Sequence, residues 1–437
     1  MKYAHQLSDM INAFSPAPLK IDQMEQFYCN GTMEYRMGDR FFSPIENIFE
    51  SCVGLEGPAA YLLLGHRGCG KSTELNKMSQ RLISEGYCVK TVNCSMDLDL
   101  FNIVYSDLFI LMGEALLKIA EELDCRIEES LLESIMSFWD DGTETIISQD
   151  VAAASLETGV SGETRGLLAN ILNIFVKIKT DLKFNEETRK EYRRKIVIRS
   201  SQWIKILSRV SEQIAEKAGG KRPVIIFEDL DKLNPEDAWK VFYNYAAILS
   251  GMTFPVIYTF PIGLSYDARF SAMESYFATE TLPMIKIETI DGRTFPDGIN
   301  IIREVVKKRA SLDLFEEGVL ERLIRFTGGS LRDLFHGINA SAKRAVRRDS
   351  DRISMEDAER ALEELKTSLT RRIEEKDYPF LLDIYNGNKE RIQDRKMLLE
   401  MLQASVVLEY NGKRWHNVHP LVVRFFREQG LIEDGGE

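Results

Sequence analysis

No stretch of this chain reaches the roughly 18 consecutive uncharged apolar residues of a membrane helix, so a helical membrane span is not expected. Residues 1–18 have no basic start followed by an apolar run, which argues against a secretory signal. Cysteine is scarce: the six residues Cys29, Cys52, Cys69, Cys88, Cys94 and Cys125 show no CxxC spacing. That excludes a zinc ribbon and a disulfide framework, and free thiols in a reducing cytoplasm are the expectation. Histidine is as sparse, and His416 and His419 lack a cysteine or acidic partner at ligand spacing, so no metal site is read there. No internal repeat and no low-complexity segment occurs. Positive charge is in deficit: 56 Lys+Arg face 68 Asp+Glu, for a net charge of −12. Phosphate affinity comes from neutralising cations, so such a chain is poorly suited to indiscriminate nucleic-acid binding, although a local basic surface remains compatible.

What is present is an ordinary globular composition, with 44% hydrophobic and 28% charged residues over 437 positions, enough for two or three domains. Residues 1–55 read as an irregular arm with one short helix at 43–52. Residues 59–64 (AAYLLL), 87–93 (YCVKTVN), 223–227 (PVIIF), 254–260 (FPVIYTF) and 282–287 (LPMIKI) are the strand candidates. Helical patterns at 71–84, 101–123, 196–218 and 236–249 alternate with them, which predicts an α/β fold with a doubly wound parallel sheet. Residues 128–222 form a mostly helical insertion, and 140–164, rich in Gly, Ser and Thr, read as a loop. Beyond 291 the pattern is helical only, at 298–310, 316–326, 330–348 and 354–366. The tail adds a hairpin signal at 406–418, turning at Asn411 and Gly412. The expected domains are therefore an arm (1–55), a core (56–290), a helical block (291–368) and a small α+β tail (369–437).

Residues 65–72 read GHRGCGKS, which fits G-x-x-x-x-G-K-[ST] in full, between an apolar strand and a helix. The glycines let backbone N–H groups converge on phosphate oxygens, and the helix N-terminus adds its dipole. Lys71 is the point charge for the β- and γ-phosphates, and Ser72 offers a hydroxyl to magnesium. ATP and Mg2+ are the cofactors this implies, contacted by Gly65, Gly68, Cys69, Gly70, Lys71, Ser72 and Thr73. The second half of the site is the run Val224-Ile225-Ile226-Phe227-Glu228-Asp229-Leu230-Asp231. Four apolar residues bury a strand, and the acids at its C-terminal end reach the crevice where open α/β sheets bind ligands. Of Glu228 and Asp229, one holds magnesium and its neighbour polarises the attacking water. Asp231, followed by Asn234, Pro235 and Glu236, reads partly as helix capping.

The loop GHRGCGKSTEL, the strand VIIFEDLDKL and TGGSLRDLF at 327–335 together resemble an AAA+ type ATPase, nearest to the replication-initiator and STAND-like branches of the P-loop superfamily. The resemblance spans roughly residues 40–365. It implies an AAA+ core followed by a helical lid and a winged-helix-like tail. By position Lys71 and Ser72 match the Walker A residues, and Glu228 and Asp229 the Walker B pair. The family has Asp then Glu where this chain has Glu then Asp, which leaves the division of roles open and points to slow hydrolysis. Thr259 matches the polar sensor of the family. Arg332 matches the second sensor, an arginine that reaches from the lid to the γ-phosphate. Arg269 is the positional candidate for an arginine acting in a neighbouring subunit's site, beside its plainer reading as a loop arginine.

The function this implies is an ATP-binding and hydrolysing switch that couples nucleotide state to oligomerisation or to engagement of an effector protein encoded elsewhere, a division of labour found in anti-phage defence and mobile-element modules. The alternative is a DNA-binding ATPase of the initiator or transposition-adaptor type, using Lys413, Arg414 and Trp415 at the hairpin tip or the stripe Lys343, Arg344, Arg347 and Arg348. The acidic neighbours Glu409, Glu433 and Asp434 favour packing or protein contact for the tail. The basic stripe reads first as a solvated helix face.

Overall fold

The computed structural model describes residues 1–32, 36, 43–54, 59–140, 163–390, 392–410 and 414–433. Residues 141–162 of the expected loop, and the hairpin tip Asn411, Gly412 and Lys413, lie outside the described residues.

The arm is more ordered than the sequence suggests. Helix α1 (Leu7–Ala13) buries Leu7, Met10 and Ala13, which lie on one helical face three residues apart. Helix α2 (Pro44–Val53) starts at Ser43, whose side chain accepts from the Glu46 N–H, with proline in its first turn. The helical signal of α1 is only seven residues long, too short to stand out from its surroundings.

Five strands form one parallel sheet: β1 (Ala60–Gly65), β2 (Val89–Asn93), β3 (Val224–Glu228), β4 (Val256–Pro261) and β5 (Ala278–Leu282). Their spatial order is β2-β3-β4-β1-β5, with Leu63 of β1 paired to Thr259 of β4 and to Glu280 of β5. The three central strands are buried along their whole length, which is why they read as unbroken apolar runs. The last strand departs from the expectation at 282–287. It is the polar run ATETL before it that pairs with β1, as an edge strand with one covered face. The apolar run instead supplies Ile285 and Ile287 to the core beneath the lid, while the Met284 N–H donates to the Glu409 carbonyl at 3.1 Å.

Helix α3 (Lys71–Ser84) starts directly after the glycine loop and buries Leu75, Met78 and Leu82 against the sheet. The described residues between 129 and 217 are mostly helical. Helix α4 (Tyr105–Glu122) is buried almost all round; after α5 (Glu129–Asp140) come α6 (Glu163–Phe184), α7 (Glu186–Ile198) and α8 (Ser200–Lys217), which pack against α4, and α5 packs on α6 and α8. The single helix expected over 236–249 is broken: residues Trp239–Tyr243 form a wider π-type turn that seats Trp239 and Phe242 against Phe260.

The lid consists of α9 (Pro296–Lys307), α10 (Val319–Phe326), α11 (Leu331–Arg347) and α12 (Met355–Thr370). The tail adds α13 (Tyr378–Tyr385) and α14 (Arg395–Gln403), then the hairpin β6 (Val407–Tyr410) and β7 (Trp415–Val418), then α15 (Pro420–Glu428), in a winged-helix-like arrangement. One apolar cluster joins lid, tail and α1. Trp415 is buried and stacks on Tyr410 at 4.7 Å, so it packs inward.

Candidate nucleotide site

The glycine loop leaves β1 at the centre of the sheet and runs straight into α3. Gly65, Gly68 and Gly70 all have positive φ (156°, 88° and 105°). Gly68 has no room for a side chain: a Cβ there would lie 2.4 Å from Cβ of Arg332. The lid therefore rests its sensor-position arginine directly on the loop, and no residue but glycine tolerates both the backbone angle and the contact.

Lys71 is 6% exposed, and its ammonium is fully engaged. It donates to the carbonyls of Gly65 (2.7 Å) and His66 (2.9 Å) and pairs with Asp231 Oδ2 at 2.8 Å. Asp231 is thus part of the site rather than a helix cap. Glu228, at the end of β3, is hydrogen-bonded to Ser72, while its Oε1 is buried without any partner. Burial pushes the Glu228 carboxyl up to about 7; the Ser72 bond opposes this, and the nearby Asp229 and Asp231 add to it. An orphaned buried carboxylate oxygen beside a serine hydroxyl fits an oxygen-seeking cation such as magnesium.

Asp229 adopts a left-handed conformation (φ 71°), which aspartate tolerates better than most residues. Its Oδ2 accepts from the Ser95 hydroxyl, and its Oδ1 pairs with Lys232 at 2.7 Å. Thr259 is placed differently from Lys71 and Arg332. It is 1% exposed, accepts from the Leu230 N–H (3.1 Å) and donates to the Phe227 carbonyl (3.3 Å). It organises the turn that carries Asp229 and does not line the cavity. Arg269 lies outside the cavity as well, paired with Asp267 (2.7 Å) and 4.5 Å from the Trp239 ring centroid.

Lys71, Ser72, Thr73, Glu228, Asp229 and Arg332 line one cavity of about 560 Å³. Lid residues such as Phe335 and His336 add to the lining, and the arm, which the sequence gives no reason to place here, closes one side. Pro16, Ala17, Pro18 and Leu19 cross it as a strap. Leu19 is tied to α3 on both sides: its N–H donates to Thr73 Oγ1 (3.3 Å), and its carbonyl accepts from Asn76 (2.9 Å). Tyr28 donates to the buried Glu74 (2.7 Å), and Arg36 to the Cys69 carbonyl (2.6 Å). The other end is tied to the lid, where Arg309 donates to the Ala13 carbonyl (3.0 Å) and Asn339 to that of Phe14 (2.8 Å). The only sequence trace of the strap is its SPAP run, which favours extended backbone.

The tail touches the loop too. His66 is fully buried, and its Nε2 accepts from the Glu409 N–H of β6 at 2.8 Å. Burial holds the imidazole down at about 4, so it is neutral; Glu409 opposes that shift, and Lys71 and His416 reinforce it. Tyr266 donates to Glu409 Oε2 (2.7 Å) and contacts His416 Nε2 (2.9 Å). Tyr410 donates to the Gly328 carbonyl (2.6 Å). In the TGGS turn a Cβ on Gly329 (φ 81°) would lie 1.8 Å from the Ile285 carbonyl oxygen, so the paired glycines serve this close approach.

Among the described residues no group of three or more His, Cys, Asp and Glu is placed to hold a metal ion, and no helix is long and apolar enough to cross a membrane. The six cysteines are free thiols.

Comparison with protein-family profiles finds no match, and comparison with curated proteins finds none either. Among solved structures the chain is similar to a Walker-type ATPase of Pyrococcus abyssi, at 14% identity and a TM-score of 0.46, covering 95% of this chain and 99% of that one. It is also similar to Cdc6p of Pyrobaculum aerophilum, at 14% identity and a TM-score of 0.39, covering 96% and 98%. A third likeness is to ORC1 of Aeropyrum pernix in complex with DNA, at 13% identity and a TM-score of 0.36, covering 89% and 91%. At such scores these likenesses carry no argument about function, which rests on the chain's own residues.

Proposed function

We propose that the chain binds ATP with magnesium in the cavity at the end of β1, hydrolyses it slowly, and acts as a switch whose nucleotide state sets its assembly or its engagement of a partner. The observation that carries this is the convergence of Lys71 and Ser72 from the loop, Glu228 from β3 and Arg332 from the lid on one cavity. Ser72 and Glu228 would hold the magnesium, which supplies charge neutralisation for the phosphates. Asp229, in its left-handed turn, is placed to orient the attacking water, and Ser95 and Lys232 fix its two oxygens meanwhile.

A phosphate chain entering the cavity takes over Lys71 from Asp231. Arg332 reads the same phosphates from the lid, so phosphate loss releases one contact between lid and core. The strap and the His66–Glu409 contact give that release two mechanical outlets, one to the arm and one to the tail. The only thermodynamic requirement is that ATP binds the closed arrangement more tightly than the open one.

The test is nucleotide titration and phosphate release on wild type, Lys71→Ala and Asp229→Asn, with mass by light scattering under ATP–magnesium, ADP and no nucleotide. Binding lost in Lys71→Ala, turnover lost but binding kept in Asp229→Asn, and a larger species with ATP alone are the expected results. Nucleotide affinity equal in wild type and Lys71→Ala overturns the assignment, and an unchanged mass in all conditions overturns the assembly.

A further inference from the structure

A second cavity, of about 820 Å³, opens beside the first and shares Pro16, Arg332 and His336 with it. Its walls are α11, α12 and the end of α1 with the strap. Arg332, Lys343 and Arg347 stand 11 and 15 residues apart along α11. At 100° per residue they fall within about 60° of one another, on one face roughly 22 Å long. Arg372, beyond α12, completes the lining, its guanidinium fixed by the Ala404 carbonyl at 2.7 Å.

The basic stripe of α11 divides here into two pairs. Arg344 is engaged by Glu364, and Arg348 by Asp357 and Ser354. Lys343 and Arg347 make no ion pair among the described residues, and neither do Arg332 and Arg372. Two carboxylates also stand on the cavity wall. Glu364 is paired with Arg344, while Asp333, whose N–H donates to the Ser330 hydroxyl oxygen that caps α11, has its carboxylate 3.7 Å from His419 Nε2 and no ion pair to Lys or Arg among the described residues. Four unpaired cations thus face one such carboxylate in this concavity, in a chain whose net charge is −12. Like charges gathered in a cleft repel one another and focus a positive potential into it, which an anion relieves. Arginines offer planar forks that match phosphate oxygens.

We propose that this trough between α11 and α12 is a second binding site, for a small anion carrying two or more phosphate groups. The volume lies in the range of small-ligand pockets. A concave trough suits a compact ligand, whereas a nucleic-acid duplex needs cations along an open surface and meets an acidic molecule elsewhere. Arg332 and His336 form the wall common to both cavities, so an occupant of the trough bears directly on the lid arginine that contacts Gly68.

The test is calorimetric titration of inorganic tripolyphosphate into the full chain with ADP saturating, repeated on Lys343→Glu/Arg347→Glu, on Lys343→Gln/Arg347→Gln and on Lys71→Ala. Neither Lys343 nor Arg347 lines the first cavity, so ADP affinity stays unchanged in those variants. The expected result is one tripolyphosphate per wild-type chain, an affinity lowered by at least about a hundredfold on charge reversal and by less in the glutamine pair, and full retention in Lys71→Ala. Absence of binding, binding indifferent to both double variants, or binding lost in Lys71→Ala overturns the proposal; the last assigns the anion to the glycine loop. A parallel titration with single- and double-stranded 12-mers closes the remaining case, since oligonucleotide binding without tripolyphosphate binding also overturns it. Failure of ADP to bind counts against the first cavity alone, because the trough is read from Lys343 and Arg347.

Discussion

Acidification acts on the joint between loop and tail through His66. Folded, its imidazole is buried, accepts from the Glu409 N–H and is held at about 4; unfolded, it returns to about 6.5. The neutral form is the one the fold requires, so this contribution is complete above about pH 6.5 and declines as pH falls toward 4. Between about pH 7.5 and 5 the loss from His66 alone is about 2 kcal/mol, with a ceiling near 3 kcal/mol at lower pH. Glu228 runs the opposite way, being held at about 7 by burial, and masks much of the slope in wild type. The comparison that isolates His66 is therefore wild type against His66→Gln, whose side-chain oxygen still accepts from Glu409. Denaturation at the two pH values is expected to show the variant gaining about 2 kcal/mol relative to wild type on acidification. Ring signals of labelled histidine report the same group directly. An imidazole assigned to His66 that titrates near 6.5, or identical pH slopes in the two proteins, would refute the reasoning.

Asp231→Asn leaves the Lys71 ammonium buried with only two carbonyls, so the nucleotide-free protein is expected to lose about 1–3 kcal/mol, while ADP stabilises the variant more than wild type; melting with and without ADP checks both. Glu228→Gln removes a carboxyl whose folded value lies above its unfolded one, a stabilisation present at low pH and lost as pH rises through about 7. Removing it leaves the opposing His66 slope, so the variant is expected to gain about 2 kcal/mol between about pH 5 and 8, where wild type, with the two slopes nearly offset, stays level within about 1 kcal/mol; a wild-type-like slope in the variant would count against the assignment. Gly329→Ala, with its Cβ driven to 1.8 Å from the Ile285 carbonyl, is expected to destabilise by more than about 3 kcal/mol. Gly219→Ala, also at positive φ but in open space, is expected to cost about 1 kcal/mol, and equal losses in the two would argue against the close approach.

Much of the core is legible in the residues because its signals are local. The run at 59–64 is apolar throughout because β1 lies between two strands with both faces covered, and GHRGCGKS carries its glycines at the positions where φ turns positive. Strand β5 is not legible, because an edge strand covered on one face keeps polar residues, while the apolar run after it answers to the lid instead. Arg332 is recognisable from TGGSLRD, but its seat on Gly68 belongs to the packing of lid on core. Thr259, polar at a strand end, reads as a sensor until the Phe227 carbonyl and the Leu230 N–H are seen to occupy its hydroxyl.

By itself the sequence determined the glycine loop, the acidic strand end and the alternation of strands and helices, since each rests on neighbours within a few residues. Which distant groups complete the site was decided only by the tertiary structure. The strap at 16–19 meets α3 across more than fifty residues of sequence, and Glu409 meets His66 across more than three hundred. Such contacts leave no periodicity to read, because they depend on where the fold carries each surface and on which buried polar group then needs a partner.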